Sequence, residues 1–205
     1  LCAGLIMGAQ RFNTAPPQAE FAHLMQELQF ADGEWCWRGL YLGKTTLDQA
    51  KTRIRGDDIF NDLELVNRSF DRMIEWSWRA NPKRLGITRQ AHDSEKVDVF
   101  SFDTQAEHLT LADLVKLVGT PEDMYIQLAT SPEGKYSAFF IICFDRYLCG
   151  YVIQPDGDLR PTSPITTVAF MNAAAKSATI TTIRPTYWRG FTTYQFLVCF
   201  PTLHH

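Results

Sequence analysis

The sequence lacks the short motifs that identify most hydrolases, nucleotide-binding enzymes and metalloenzymes. It contains no Gly-x-Ser-x-Gly, no His-Glu-x-x-His, no phosphate loop and no dinucleotide fingerprint. The five histidines are scattered and are typical of surface or capping residues rather than ligands. They are His23, His92, His108, His204 and His205. The residues therefore predict no catalytic site, no cofactor and no metal.

The sequence also lacks the features that would indicate binding to nucleic acid or a membrane-spanning segment. Lysine and arginine are dispersed rather than clustered, and the net charge is −3, which argues against nucleic acid. No apolar run within the chain reaches the length needed to span a bilayer.

The sequence contains one acidic cluster, Asp57-Asp58 with Asp62 and Glu64. This cluster is either a weak cation site or a solvated helix end. It lacks the ligand spacing of a calcium-binding loop.

The five cysteines have no metal-type spacing, so we interpret most of them as small buried apolar residues. Cys143 and Cys149 flank a predicted hairpin turn near Asp145-Arg146. A two-residue loop would place the two cysteines on opposite faces of the hairpin, and a three-residue loop would place them directly opposite each other. The sequence leaves both loop lengths open.

A complete short helix is encoded between Thr110 and Pro121. Thr110 is a suitable N-cap and Asp113 follows at the capping-box position. Leucine and valine recur at helical spacing through Val118, and Gly119 and Pro121 predict the end of the helix. The strand predicted at Met124 to Thr130 comes directly afterwards.

An earlier stretch, Thr46 to Gly56, has the same pattern. Thr46 and Gln49 form a capping-box pair, and Leu47, Ala50 and Ile54 form the apolar stripe. The two stretches predict a duplicated supersecondary unit, with equivalent helices packed on the same kind of antiparallel sheet.

The remaining pattern predicts an α+β fold with short helices on antiparallel sheet. A helix is predicted at Ala19 to Phe30, after a Pro16-Pro17 breaker, and a surface loop at Ala80 to Ser94. The segment from Asp57 to Leu65 reads as a short helix or a loop. The predicted strands cover 35–42, 73–79, 96–103, 124–130, 136–144, 147–154, 165–171, 178–183, 187–193 and 194–200. The strand at 136–144 is apolar on both faces and should be central.

The domain prediction is one α+β domain over residues 17–205. It divides into a first repeat at about 35–105, a second at about 106–155 and a β-rich extension at 160–203. Residues 1–16 are predicted to be a linker. Within them Leu1 to Gly8 is either the remnant of a signal sequence or membrane anchor that begins outside the given chain, or an ordinary buried segment.

These repeat motifs resemble a known family. Gly43-Lys44-Thr45-Thr46 with Gln49-Ala50, and Leu117 to Pro121 before a meander, are similar to the SmpA/OmlA (BamE) lipoprotein domain. They also resemble the tandem-repeat β-lactamase inhibitor proteins and uncharacterised bacterial envelope-associated proteins with such repeats. The resemblance covers about residues 37–154, and it implies a non-catalytic extracytoplasmic domain that binds another protein. The long loops, the C-terminal extension and the missing lipobox depart from the family pattern.

Large aromatic residues are concentrated in the first predicted repeat, and they are the candidate partner-binding residues. These are Trp35, Trp37, Tyr41, Trp76 and Trp78. Tryptophan and tyrosine are favoured anchors of protein interfaces, although they also dominate cores. The favoured function is protein binding, with a partner of unknown identity. The alternative is an enzyme or small-ligand-binding domain whose site assembles from residues distant in sequence.

Overall fold

The protein is an α+β structure with four helices and two antiparallel sheets in the described part of the chain. The computed structural model describes residues 16–67, 71–78, 85–91, 95–105, 108–130, 136–154, 157–180 and 184–191. The helices are α1 Pro16–Glu27, α2 Leu47–Arg55, α3 Leu111–Val118 and α4 Ala173–Ile180. None of these helices is long and apolar enough to cross a membrane.

Twelve strands within the described ranges form the two sheets. Strands β1 Leu28–Ala31, β2 Glu34–Trp37 and β3 Leu40–Tyr41 form the small sheet. The large sheet contains β4 Phe60–Asn67, β5 Asp71–Trp78, β6 Leu85–Ala91, β7 Val99–Asp103, β8 Asp123–Thr130, β9 Tyr136–Cys143, β10 Leu148–Gln154, β11 Ile165–Met171 and β12 Arg184–Thr186. Its order is β12-β8-β9-β10-β11-β7-β6-β5-β4. The pairing of β7 with β11 therefore joins strands β4–β7 to strands β8–β12.

The large sheet has two halves. The first half is α2 followed by β4–β7, and the second half is α3 followed by β8–β11. Both helices begin with the predicted capping box, because each threonine accepts from a backbone N–H three residues on and that residue's side chain accepts from the threonine N–H. Each capping threonine also forms an isolated antiparallel bridge, Thr46 with Lys96 and Thr110 with Pro164. Whether the halves arose by duplication stays a prediction.

The main core lies on one face of the large sheet. The apolar stripes of α1, α2 and α3 and the inward residues of β2 pack there. The opposite face of the second half carries a smaller cluster that includes Ile141, Met171 and Ala175 of α4. Strand β9 lies between β8 and β10, and its side chains enter both clusters, so the predicted central strand is confirmed.

The predicted span of the first helix, Ala19 to Phe30, was wrong at both ends. Helix α1 begins at Pro16, because proline is tolerated in the first helical turn, where its missing N–H is not needed. The helix ends at Glu27 and the chain continues as β1. The dipeptide Asp32-Gly33, with φ of 54° and 78°, forms the two-residue turn into β2. A second such turn at Arg38-Gly39, with φ of 49° and 77°, divides the predicted strand 35–42 into β2 and β3.

Four further predictions along the chain were wrong. The ambiguous segment after α2 is strand β4, and the predicted loop from Ala80 to Ser94 contains strand β6. Partner strands satisfy the backbone of both segments, which overrides their polar composition. The predicted strand at 178–183 overlaps helix α4, which Asn172 initiates by accepting from the Ala175 N–H at 2.8 Å. The predicted strand at 187–193 is irregular through 191, and its remainder and 194–200 lie outside the described residues.

Cys143 and Cys149 form a disulfide across the β9–β10 hairpin. The two residues are directly opposite each other in the strand register, and a 3₁₀ turn at Asp145–Tyr147 connects the strands. The three-residue alternative is therefore the one adopted. Cys36 is also disulfide-bonded, and its partner lies outside the described residues. Three of the five cysteines are thus disulfide-bonded, so the interpretation of most cysteines as simple buried apolar residues was wrong.

Candidate functional site

The structure separates the predicted partner-binding aromatics into core and surface positions. Trp35, Trp37 and Trp76 are buried in the main core, at 7%, 0% and 1% exposure. Trp37 and Trp76 stack with their ring centroids 4.9 Å apart, so each ring covers the other. The side chain of Trp78 lies outside the described part. Tyr41 is partly exposed on β3, and it is the member of the set that reaches the described surface.

The surface next to Tyr41 is organised by the turn at Arg38-Gly39. Arg38 Nε and Nη2 donate to the two carboxylate oxygens of Glu27 at 2.8 and 2.6 Å, and Nη1 donates to Asp57 at 2.7 Å. The indole N–H of Trp37 donates to Glu27 at 3.2 Å. These bonds join the end of α1 to the β2–β3 turn and to the residues after α2, and they hold Arg38 in the left-handed region, at φ 49°.

The charge on Arg38 is therefore internally compensated. The hydrogen bonds that Arg38 donates to Glu27 raise the pKa of Arg38 further above its ordinary value, against the opposing effect of burial, and Asp57 adds to the increase. Bidentate arginine–carboxylate pairing is strongly directional, so this guanidinium is fixed in place. Asp57 has the role of a structural ion-pair partner here, and no group of three or more metal-ligating side chains occurs in the described ranges.

Arg53, in the last turn of α2, extends across the same turn with a different environment. Its Nε donates to the backbone carbonyl of Arg38 at 2.6 Å, and its guanidinium lies against Gly39. A Cβ at Gly39 would approach Arg53 Nη2 to 2.5 Å, so the absence of a side chain at this position makes room for the guanidinium. Within the described ranges Arg53 forms no ion pair, although it is exposed.

Two open depressions lie on either side of Arg53, and both are lined by Arg53 and Gly39. The first has a volume of about 690 Å³ and is walled by the start of α2. Its other lining residues are Leu40, Thr45, Asp48, Gln49 and Thr52. The second has a volume of about 450 Å³ and lies over the outward face of the small sheet. Its other lining residues are Glu27, Gln29, Cys36, Arg38 and Tyr41. We call the two together the Gly39 surface.

One row of the strand register crosses the small sheet within this surface. Gln29 of β1 is opposite Cys36 of β2, which is opposite Tyr41 of β3. The side-chain oxygen Oε1 of Gln29 is buried and accepts no hydrogen bond from a described residue. An unsatisfied buried acceptor costs about 1–3 kcal/mol, so this oxygen lowers the local stability of the small sheet.

A second polar cluster lies on the opposite face of the second half. Lys176 of α4 donates to Asp123 at 2.8 Å, and its ammonium lies 5.6 Å from the ring centre of Tyr147. Burial raises the pKa of Tyr125 to about 12, and neighbouring Asp123 adds to the increase. These contacts attach α4 over the apolar cluster that contains the Cys143–Cys149 disulfide, which gives them a structural role.

The Gly39 surface is lined by residue types that are common in protein recognition. The described residues that line it include no histidine or serine, and its cysteine is disulfide-bonded. The carboxylates of Asp48 and Glu27 also line it, and that of Glu27 is already bound by Arg38. Arginine and tyrosine, in contrast, are residue types enriched where proteins bind each other.

Sequence reasoning missed both arginines of this surface. Two signals were present: Asp32-Gly33 is a strong hairpin signal, and the glycine after Arg38 allows a second tight turn two residues beyond β2. The approach of Arg53 to this turn depends on the packing of α2 against the large sheet, so local sequence does not contain it.

Comparisons with protein-family models, with curated proteins and with solved structures find no match to the chain. The functional argument therefore depends on the geometry of the chain itself.

Proposed function

We propose that the protein is a non-catalytic, extracytoplasmic protein-binding module, and that the Gly39 surface is its binding face. The observation that carries the proposal is this pair of adjoining open depressions, which present an exposed arginine and a partly exposed tyrosine on a rigid support. The bonds of Arg38 to Glu27 and Asp57 fix the turn beneath them. A face that is already rigid loses less conformational entropy on binding.

The proposed location has separate support. Cys143, Cys149 and Cys36 are disulfide-bonded, and structural disulfides persist mainly in oxidising compartments such as the periplasm or the cell exterior. The resemblance to the BamE-like envelope domains is consistent with the same location, and it remains part of the proposal. Its residues lie at the start of α2 and at the end of α3, where they encode the helix caps.

The alternative, an enzyme or small-ligand-binding domain, lacks a comparable observation. Such a site is expected to be a concave pocket with converging polar groups and perturbed pKa values. The two groups with shifted pKa values in the described ranges are Arg38, which is committed to ion pairs, and Tyr125, which is buried under α4. Neither arrangement resembles a reacting centre.

Site-specific photo-cross-linking in the source cells tests the proposal. A photoreactive phenylalanine analogue replaces Tyr41 on the Gly39 surface, and in a matched variant it replaces Ile153, which is 46% exposed on the outward side of β10. We expect one partner protein, identified by mass spectrometry, to be joined to the Tyr41 variant and not to the Ile153 variant. No adduct at Tyr41, or the same adducts at both positions, would contradict the proposal.

A further inference from the structure

We infer that Arg53 is the residue of the Gly39 surface that selects the partner, and that it binds a carboxylate from an acidic peptide segment of that partner. This inference rests on the proposed function and specifies the chemistry of the partner.

The first step is the contrast between the two arginines that meet at the Arg38-Gly39 turn. Arg38 uses all three guanidinium nitrogens on Glu27 and Asp57, so two carboxylates already compensate its charge. Arg53 uses Nε on a neutral backbone carbonyl, and the described residues provide no carboxylate for its two terminal nitrogens. An exposed cation that the fold holds in place without a counter-charge is suited to bind an external anion.

The second step is orientation. The bond from Arg53 Nε to the Arg38 carbonyl and the contact with Gly39 hold the side chain across the boundary between the two depressions. A guanidinium that is held in this way loses less side-chain entropy when it binds than a free surface arginine does. Its planar pair of terminal N–H groups matches the two oxygens of a carboxylate.

The third step identifies a peptide as the source of the carboxylate. The two depressions together exceed the size of one carboxylate group and extend to both sides of Arg53. An extended peptide that crosses Arg53 would place backbone in both depressions. Tyr41 would contribute apolar contact area beside it.

The test begins with selection of a random peptide display library on the full-length purified protein. Peptides enriched on the wild type are synthesised, and their affinities are measured by fluorescence polarisation for the wild type and for the Arg53→Gln, Arg53→Lys and Arg55→Gln variants. Arg55 is the matched control, because it is exposed in the same last turn of α2 but is not among the lining residues. Circular dichroism confirms that each variant is folded.

The expected result is an enriched consensus with aspartate or glutamate at one fixed position. Arg53→Gln should weaken binding about tenfold or more, Arg53→Lys should weaken it less, and Arg55→Gln should leave it unchanged. Replacing the peptide's acidic residue by its amide should weaken binding to the wild type by a similar factor and should have little effect on Arg53→Gln, because the two groups act as a pair.

Four results would overturn the inference. Enriched peptides without an acidic residue, or peptides that bind Arg53→Gln as well as the wild type, would remove the role of Arg53 and leave protein binding at this surface intact. Competition by inorganic phosphate as effective as that by the acidic peptide would indicate a small-anion site instead. No enrichment on the wild type would overturn both this inference and the proposed binding face.

Discussion

Two glycines occupy matching places in the two halves of the large sheet, and different residues fill the space above them. Gly86 of β6 is opposite Phe102 of β7, Gly150 of β10 is opposite Val168 of β11, and Phe102 and Val168 are opposite each other. Each glycine is therefore one strand away from the central pair. In the first half the Trp76 ring lies where a Cβ of Gly86 would be, and in the second half Leu114 of α3 approaches such a Cβ at Gly150 to 2.6 Å.

This difference shows how similar local helices produce different surfaces. In the second half, α3 lies close above the sheet at Gly150, and the core there is mostly aliphatic. In the first half, stacked Trp76 and Trp37 fill the space beside the sheet, and Trp37 belongs to the added small sheet. That additional layer carries the Arg38-Gly39 turn and hence the candidate binding face. The aromatic core thus packs beneath the small sheet and holds the candidate binding face in place.

The largest effect is expected from removing the aromatic support of the first half. Trp37→Ala should lower the free energy of unfolding by about 3–5 kcal/mol, since it leaves a large cavity beneath the small sheet. Urea denaturation followed by circular dichroism measures the change. Tyr187→Ala is the control, because Tyr187 is 82% exposed and its removal should change stability by less than about 0.5 kcal/mol. Equal effects of the two substitutions would contradict the assigned core.

The corresponding test in the second half is Leu114→Ala. Leu114 is fully buried against Gly150, so its truncation should cost about 2–5 kcal/mol by cavity formation. Gly150→Ala should partly fill that cavity. Measured by the same denaturation, the double variant should therefore be more stable than the sum of the two single changes implies. Strict additivity would show that α3 does not lie over Gly150.

The two glycines can be compared directly with matched substitutions. Gly86→Ala should cost about 3 kcal/mol, because the Trp76 ring is rigid and is confined by Trp37. Gly150→Ala should cost about 1 kcal/mol, since the end of the Leu114 side chain can move to another rotamer. Thermal unfolding of the two proteins distinguishes these values. A larger effect at Gly150 would reverse the comparison.

A pH effect should be specific to the second half. The folded pKa of Tyr125 is raised to about 12 from an ordinary value of 10, so the native state retains a proton that the unfolded chain loses. The protonated Tyr125 hydroxyl therefore contributes on the order of 2 kcal/mol to the free energy of unfolding. This contribution is fully present below pH 10 and is lost as the pH rises to about 12. Tyr125→Phe should flatten the loss of stability in that interval. If the unfolding free energy of Tyr125→Phe fell with pH as steeply as that of the wild type, the raised pKa of Tyr125 would be contradicted.

The smallest difference concerns the helix caps, which the two halves share. Thr46→Ala and Thr110→Ala should each destabilise by about 1 kcal/mol, because each removes one side of a capping box. Threonine-to-serine variants at the same positions retain the hydroxyl and provide the control in guanidinium denaturation. A cap effect in only one half would show that the local similarity has no common energetic consequence.

Sequence reasoning predicted the elements whose signals are local. The caps at Thr46 and Thr110 depend on residues within one helical turn, and strand β11, which is rich in β-branched residues, has the predicted bounds. Segments with mixed signals were assigned wrongly: β6 is polar enough to read as a loop, and α4 contains late β-branched residues. Partner strands decide the first case, and the Asn172 cap and the apolar cluster decide the second.

In the candidate site, too, sequence reasoning recognised some residues and missed others. The aromatic residues were recognised as important large side chains, but whether a tryptophan faces solvent or core depends on which layer covers it. The small sheet covers Trp76, and only the folded chain contains that sheet. The arginines were not singled out, because their difference lies in their neighbours rather than in their residue type.

The sequence by itself determined the capped helices, most strand positions, the class of fold and the absence of familiar catalytic motifs, because each of these depends on residues close together along the chain. Tertiary structure alone decided which half would carry an aromatic core, and that Cys143 and Cys149 would be opposite each other. It also decided that Arg38 would pair with carboxylates, whereas Arg53 binds a backbone carbonyl. The physical reason is that burial and charge compensation are properties of contacts. Glu27 and Asp57 lie 11 and 19 positions from Arg38, and only folding brings all three to one turn.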